Sequence, residues 1–143
     1  MVNYYANAAT MRFLFVVKLM KLLWYADELS FKRRGHSISG LVYYARPMGD
    51  VPLAYKSVLE LSGIQYEEID MGNGIGCRFS PTDRREYPHL SAADRDILDT
   101  VIERFGDATK DEIVDAMHQE QAYKMAASRD VIPFGRTLQL SLA

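Results

Sequence analysis

The side chains best suited to chemistry in this sequence are Lys21 and Tyr25, one helical turn apart, and His118 late in the chain. An amine, a phenol and an imidazole that converge in one cavity can bind a small polar ligand or exchange protons with it. Lys21 and Tyr25 share a helical face because they lie four residues apart, whereas His118 can join them only through the tertiary fold. A ligand-binding or enzymatic domain that uses these three residues is therefore one hypothesis.

Metal binding and nucleophilic catalysis receive little support from the sequence. Asp115 and His118 share a helical face, but Glu120 points elsewhere in an unbroken helix, and no cysteine or second histidine is spaced to complete a metal site. Cys77 lies in a predicted strand without a base in a recognisable pattern, so we expect a structural thiol. The glycine-rich segment Gly72–Gly76 superficially resembles a phosphate-binding loop. It predicts a hairpin turn instead, because neither the lysine nor the helix that such a loop requires follows it. We therefore expect no catalytic residue, no metal and no other cofactor.

Length and composition indicate one cytoplasmic globular domain. The 143 residues are 48% hydrophobic and 25% charged, the balance of a folded protein with one core. The formal net charge of -2 gives no overall attraction to nucleic acid or to an anionic membrane. The single cysteine excludes an intramolecular disulfide and fits a reducing compartment. Lys18 and Lys21 interrupt the apolar stretch from Met11 to Trp24, which therefore predicts a buried helix rather than a membrane span.

The first predicted element is a long helix from about Ala8 to Lys32. Apolar residues surround most of its circumference, which predicts a central position in the core. One polar stripe interrupts them, and its members recur at steps of three and four residues: Lys18, Lys21, Tyr25, Glu28 and Lys32. Gly35 follows three cationic residues and predicts the end of this helix.

Shorter elements follow the long helix. Two prolines among β-branched and aromatic residues predict extended chain from His36 to Pro52. The patterns predict the later elements in this order: a helix over Leu53–Leu61, a hairpin of Ile64–Asp70 and Cys77–Ser80, a helix capped by Ser91, a helix from Thr109 through Ala116, a further helix or the continuation of that helix over His118–Ala127, and an apolar tail from Val131 that docks on the body. The result is an α+β fold, mostly α-helical, in which a central long N-terminal helix is packed by several shorter helices with one small β-hairpin.

Three segments, taken in order, resemble a known family. They are KLMKLLWYAD at Lys18–Asp27, ISGLVYYARPMGDVP at Ile38–Pro52, and the run from Leu90 to Tyr123. Together they resemble the Panacea domain of SocA-like antitoxins, and the resemblance covers about residues 14–125 of a single domain over 1–143. Asp50 stands where this family commonly has a proline, and Tyr123 stands where a tryptophan is common.

The resemblance implies an antitoxin that neutralises a cognate toxin protein by direct binding, through occlusion or delivery to proteolysis, without catalysis. The expected partners are an adjacently encoded toxin and, for delivery, a protease system, but no membrane and no nucleic acid. The candidate partner-binding residues come from the polar stripe, the loop after the long helix and the late motif: Lys18, Lys21, Tyr25, Tyr43, Tyr44, Met48, Asp50 and His118. The alternative is structural: the lysines cap carbonyl groups and the loop packs on the first helix.

Two further features bear on partner binding. The cluster Lys32, Arg33 and Arg34 suits contact with nucleic acid, as in a DNA-binding autoregulator, or with an acidic face of the toxin, although compensation of the negative helix end explains the same charges. Several aromatic residues would anchor a partner if they are exposed together: Tyr4, Tyr5, Tyr43, Tyr44 and Phe134.

Overall fold

The elements of this protein are described from a computed structural model, which covers residues 1–44, 51–52, 59–72, 74–83, 86–124, 131–132 and 140–142. The helices are α1 (Val2–Ala6), α2 (Val16–Arg34), α3 (Ala92–Phe105), α4 (Lys110–His118) and α5 (Gln121–Lys124). The strands are β1 (Tyr43–Tyr44), β2 (Val51–Pro52), β3 (Tyr66–Asp70) and β4 (Ile75–Phe79). The expected α+β fold, mostly helical with a long helix near the N-terminus, is confirmed.

Helix α2 lies at the centre of the fold. Every residue from Lys18 to Ser30 is buried, because α3, α4, β2 and β4 all pack against this helix. Gly35 adopts a left-handed backbone (φ 79°) at its C-terminal end, as the sequence predicts. No helix in the part of the chain that the structure describes is long and apolar enough to cross a bilayer.

The start of α2 differs from the prediction. The sequence pattern predicts a helix from Ala8, whereas α2 begins at Val16 and α1 is a separate helix. The chain before α2 turns to pair with β4: the Phe79 N–H donates to the Leu14 carbonyl (2.8 Å), and the next residue forms an antiparallel bridge with Arg78. Phe13 has a positive φ of 57°, which is incompatible with continued helix. These long-range contacts override the local helical periodicity.

Helices α3 and α4 begin at the predicted capping residues. The Ser91 hydroxyl accepts the Asp94 N–H (3.0 Å), and the Asp94 carboxylate accepts the Ser91 N–H (2.9 Å). Thr109 and Glu112 form the same reciprocal pair at the start of α4. Each box satisfies N–H groups that have no partner within the helix.

The Ser91 cap yields a stability prediction. Replacing Ser91 with alanine leaves the Asp94 N–H without its hydroxyl acceptor, so we expect a loss of about 1 kcal/mol in the free energy of unfolding. Urea denaturation followed by circular dichroism measures this loss. The exposed Ser62 lies outside the helices and provides the control substitution to alanine. An unchanged denaturation midpoint for the Ser91 variant would contradict the assigned cap.

The predicted hairpin is present as β3 and β4. The two strands pair antiparallel with Tyr66 opposite Phe79 and Asp70 opposite Ile75. The sequence predicts a half-buried β3, but only Ile69 in this strand is partly buried and its other residues are exposed. The difference arises because the core contact of the hairpin comes through β4, whose Phe79 is buried.

The chain around β1 forms a second, smaller sheet that the sequence did not predict. Strands β1 and β2 pair antiparallel, with Tyr43 opposite Pro52. The Ile132 N–H donates to the Tyr43 carbonyl (2.9 Å), so the later chain packs beside β1. The predicted helix over 53–61 lies mostly outside the described residues.

The docking of the predicted tail is confirmed for the residues that the structure describes there. Leu140 and Leu142 are buried, and their carbonyl groups both accept from the Lys32 Nζ, at 3.0 and 2.8 Å. Ile132 is buried as well. The tail therefore forms part of the core around the C-terminal end of α2.

Candidate functional site

The predicted polar stripe of α2 lies in the interior. Lys18, Lys21, Tyr25 and Glu28 each have 0% of their surface exposed. The first three are candidate contact residues from the sequence, but a partner cannot reach them in this conformation. The reason is the central position of α2, because packing elements cover its polar stripe as well as its apolar face.

Lys18 caps carbonyl groups at the end of α3. Its Nζ donates to the carbonyl oxygens of Arg12 (2.7 Å), Gly106 (2.9 Å) and Ala108 (2.7 Å). Burial lowers the pKa of Lys18 to about 8, while the charges of Asp107 and Glu112 act in the opposite direction. Lys18 therefore ties the chain before α2 to the C-terminal end of α3, as the structural alternative predicts.

Tyr25 connects α2 to a buried carboxylate after α4. Its hydroxyl donates to Glu120 Oε1 (3.1 Å), and Glu120 is only 4% exposed. The Ser141 N–H donates to Glu120 Oε2 (3.1 Å), and the Ser141 hydroxyl also donates to this carboxylate. The ring of Tyr25 lies 4.6 Å from that of Phe105 in α3. Tyr25 and Glu120 therefore join α2, the end of α4 and the tail.

Asp27 organises the loop that follows α2. Its Oδ1 accepts the N–H groups of Ile38 and Ser39, both at 2.9 Å. Its Oδ2 accepts the Tyr43 hydroxyl (2.6 Å) and the Ser39 hydroxyl. Burial and the Asp27 charge raise the pKa of Tyr43 well above its ordinary value, so this phenol stays a donor. One buried carboxylate thus fixes the path of the chain from α2 to β1.

The structural roles of Asp27 and Glu120 are not among the sequence predictions. Asp27 belongs to the first family-like motif, and Glu120 enters the sequence predictions only as a residue unsuited to a metal site. The sequence does indicate that Asp27 is buried, because its neighbours on the helix include Trp24, Ala26 and Leu29 and the helix is apolar around most of its circumference. A carboxylate in that setting is buried and needs several donors.

An apolar groove of about 550 Å³ opens beside the loop that Asp27 holds. Its lining residues come from α1, α2 and three loop segments: Met1, Val2, Asn3, Leu23, Ser39, Leu41, Leu61, Ser62, Ile64, Tyr87, Pro88, His89 and Leu90. No Asp, Glu, Lys or Arg is among these lining residues, so the groove suits apolar groups better than charged ones.

Hydrogen bonds fix the walls of this groove. Asp27 holds Ser39, and the Asn3 Nδ2 donates to the Gly63 carbonyl (2.8 Å). The Asn7 Nδ2 donates to the hydroxyl of Tyr87 (2.9 Å), which also lines the groove. These bonds within the fold hold Ser39, Gly63 and Tyr87 in place around the groove.

Comparison with protein families identifies the family. The model of the SocA-like antitoxin family, Panacea domain, matches residues 19–124 of the 143. The chain belongs to this family. Comparisons with curated proteins and with solved structures found no match. The matched range contains α2 from Leu19 onward, both sheets and the helices α3 to α5.

The remaining predicted residues lie in different parts of the Panacea domain. Tyr43 is buried at 1% exposure, and Tyr44 is paired in β1 with Val51. Met48 and Asp50 lie outside the described residues. The partly buried His118 stacks on Tyr123 with ring centroids 4.6 Å apart, in the late motif of the domain.

The proposed convergence of Lys21, Tyr25 and His118 on a cavity finds no support in the Panacea domain. The Tyr25 hydroxyl donates to Glu120, and the His118 ring stacks on Tyr123. The apolar groove and two further surface clefts in the described part of the chain are lined by other residues. The geometry therefore does not favour the ligand-binding or enzymatic hypothesis.

The cationic end of α2 is compensated within the Panacea domain. Arg34 Nη2 lies 2.7 Å from Asp94 Oδ1, and Arg33 Nη1 lies 3.2 Å from Asp96 Oδ2. Lys32 donates to carbonyl groups of the tail. These bonds join α2 to α3 and the tail, so the cluster is explained without DNA.

The expected exposure of several aromatic residues is wrong for two of them. Tyr5 and Tyr43 are 0% and 1% exposed, because their hydroxyl groups donate to the Leu22 carbonyl and to Asp27 inside the core. Tyr4 donates to Asp99 on α3 (2.6 Å). Phe134 lies outside the described residues.

Proposed function

We propose that this chain is an antitoxin that neutralises a cognate toxin protein by binding it directly, without catalysis of its own. The observation that carries the proposal is the match to the SocA-like antitoxin family over most of the chain, which supports a toxin–antitoxin role in general. The internal bonds of Lys18, Tyr25 and Asp27 agree with a role in binding, because these groups are committed to structure and are out of reach of a substrate.

The candidate residues divide into two groups in this proposal. Lys18, Lys21, Tyr25 and Tyr43 act indirectly, by holding the elements that form the binding surface. The proposal keeps four residues as possible direct contacts with the toxin: Tyr44, Met48, Asp50 and His118. Substitutions in the first group are then expected to lower stability and binding together, whereas those in the second lower binding alone.

Growth rescue combined with co-purification tests the proposal. The open reading frame next to this gene is induced in a bacterial host with and without the chain. We expect the neighbour alone to stop growth, the chain to restore it, and the two proteins to co-purify as a stable complex. An inactivated neighbour, which is expected to be harmless with or without the chain, is the control. A toxic neighbour that is neither bound nor neutralised would contradict the proposal.

The half-life of the toxin in the rescued cells separates occlusion from delivery to proteolysis. Occlusion leaves the toxin level unchanged, and rescue persists in hosts that lack individual energy-dependent proteases. A toxin that disappears when the chain is present, and a rescue lost with one protease, would assign delivery instead.

A further inference from the structure

The hairpin of β3 and β4 presents one open edge to solvent. Four of the five residues in β3 are exposed, and Tyr66 has 41% of its surface accessible. In the described part of the chain, β3 pairs with β4 alone. A two-stranded sheet gains little stability by itself and readily accepts a further strand.

The register shows which backbone groups of β3 face outward. The Ser80 N–H donates to the Gln65 carbonyl and the Met71 N–H donates to the Gly74 carbonyl, at 2.9 and 2.8 Å. In an antiparallel pair the hydrogen-bonded positions alternate, so residues 65, 67, 69 and 71 bond toward β4. The N–H and C=O groups of Tyr66, Glu68 and Asp70 therefore point away from β4.

The corresponding outer edge of β4 is already occupied in part. The Phe79 N–H, which points away from β3, donates to the Leu14 carbonyl at 2.8 Å. The residue after Leu14, Phe15, forms an antiparallel bridge with Arg78. The chain before α2 thus acts as a short third strand on that side, and, within the described ranges, β3 is the edge of the hairpin that has no strand beside it.

The negative charge of β3 indicates which kind of segment can pair with its outer edge. Glu67, Glu68 and Asp70 place three carboxylates in a strand of five residues. Among the described residues, Glu67 alone of the three forms an ion pair, with Arg78 across the hairpin, while Asp70 Oδ1 accepts the Gly72 N–H (2.9 Å) in the turn. A second copy of β3 would bring like charges together, which disfavours pairing between copies of this chain. An extended segment that carries lysine or arginine would gain both backbone bonds and opposite charges.

We propose that the outer edge of β3 binds an extended, basic segment of the toxin by strand addition, with the N–H and C=O groups of Tyr66, Glu68 and Asp70 forming the new ladder. The inference rests on the proposed antitoxin function and names a further contact surface for the toxin, in addition to Tyr44, Met48, Asp50 and His118. Main-chain bonds supply affinity that depends little on sequence, while the carboxylates select for positive charge. Tyr66 lies on the same face as Glu68 and Asp70 and adds an apolar contact.

Amide hydrogen exchange tests the ladder directly. The probe is the product of the adjacent toxic open reading frame, inactivated by mutation and purified with the full chain. We expect the amides of residues 66, 68 and 70 to exchange rapidly in the free chain and to become protected in the complex. A complex in which these amides exchange as fast as in the free chain overturns the inference.

Charge reversal tests whether the segment that binds β3 is basic. The double variant Glu68→Lys, Asp70→Lys is expected to bind the toxin about tenfold more weakly, and the remaining affinity to depend less on salt. The control is Asp83→Lys with Glu103→Lys, which changes the net charge equally at exposed positions outside β3. Equal weakening by both double variants would contradict a specific contact at β3.

A proline variant separates the contribution of the main-chain hydrogen bonds to toxin binding from that of the carboxylates. Glu68→Pro removes one outward N–H and leaves the bonds between β3 and β4 in place, because Glu68 does not bond toward β4. We expect weaker toxin binding with unchanged exchange in β4. If the toxin binds and none of these variants reduces binding, the β3 inference fails while the antitoxin function stands. If no toxin is bound by the unaltered chain, the proposed function itself fails.

Discussion

Replacing Asp27 with asparagine is expected to lower the free energy of unfolding by about 3 kcal/mol, or the melting temperature by about 10 °C. The carboxylate accepts two N–H groups and two hydroxyl groups in the core. An amide has one oxygen in place of two, and its NH₂ group would face donors. At least one buried donor is therefore left without an acceptor.

Thermal unfolding followed by circular dichroism measures this effect. The matched control is Asp83→Asn at an exposed position, where a change within about 0.5 kcal/mol is expected. Hydrogen exchange adds a local readout, since the amides of Ile38 and Ser39 should exchange faster in the Asp27 variant. A melting temperature equal to that of the control would show that the loop after α2 does not depend on Asp27.

Replacing Lys18 with methionine is expected to cost about 2 kcal/mol. Methionine fills a similar volume and removes a buried charge, but it leaves three carbonyl oxygens without the Nζ donor. The exposed Lys124 provides the control substitution to methionine. A Lys18 variant as stable as the Lys124 variant would contradict the capping role.

The Lys18 variant also carries a pH prediction. Because burial lowers the pKa of Lys18 to about 8 in the folded chain, the unfolded chain binds more protons between pH 8 and its ordinary pKa of 10.5. The contribution of Lys18 to the free energy of unfolding therefore rises with pH from about 8 to 10.5 and is constant at lower pH. The difference in unfolding free energy between the unaltered chain and the methionine variant should widen from pH 7.5 to 9.5. A constant difference would mean that the three carbonyl groups hold the pKa near its ordinary value.

Local patterns predicted several elements of this fold correctly. Gly35 ends α2, and Ser91 and Thr109 begin α3 and α4, because caps and stops depend on bonds within a few residues. The alternation of Ile64–Asp70 predicted the strand of the hairpin. Motif order indicated the family, which the match over residues 19–124 confirms.

The candidate site was harder to predict, because its residues depend on distant partners. Lys18 bonds with Gly106 and Ala108, and Tyr25 bonds with Glu120, across more than 80 residues of sequence. The start of α2 was misplaced for the same reason, since the chain near Leu14 pairs with β4. No pattern within one helix contains this information.

The sequence by itself determined that α2 is a central helix with one polar stripe, and that the chain has the motifs of a SocA-like antitoxin. Periodicity shows which residues share a face, because the helical repeat is fixed by local geometry. Only the tertiary structure decided that the face with Lys18, Lys21 and Tyr25 is covered, and that β3 keeps an open edge. Burial depends on which distant elements pack on a face, and those contacts are set by the whole chain.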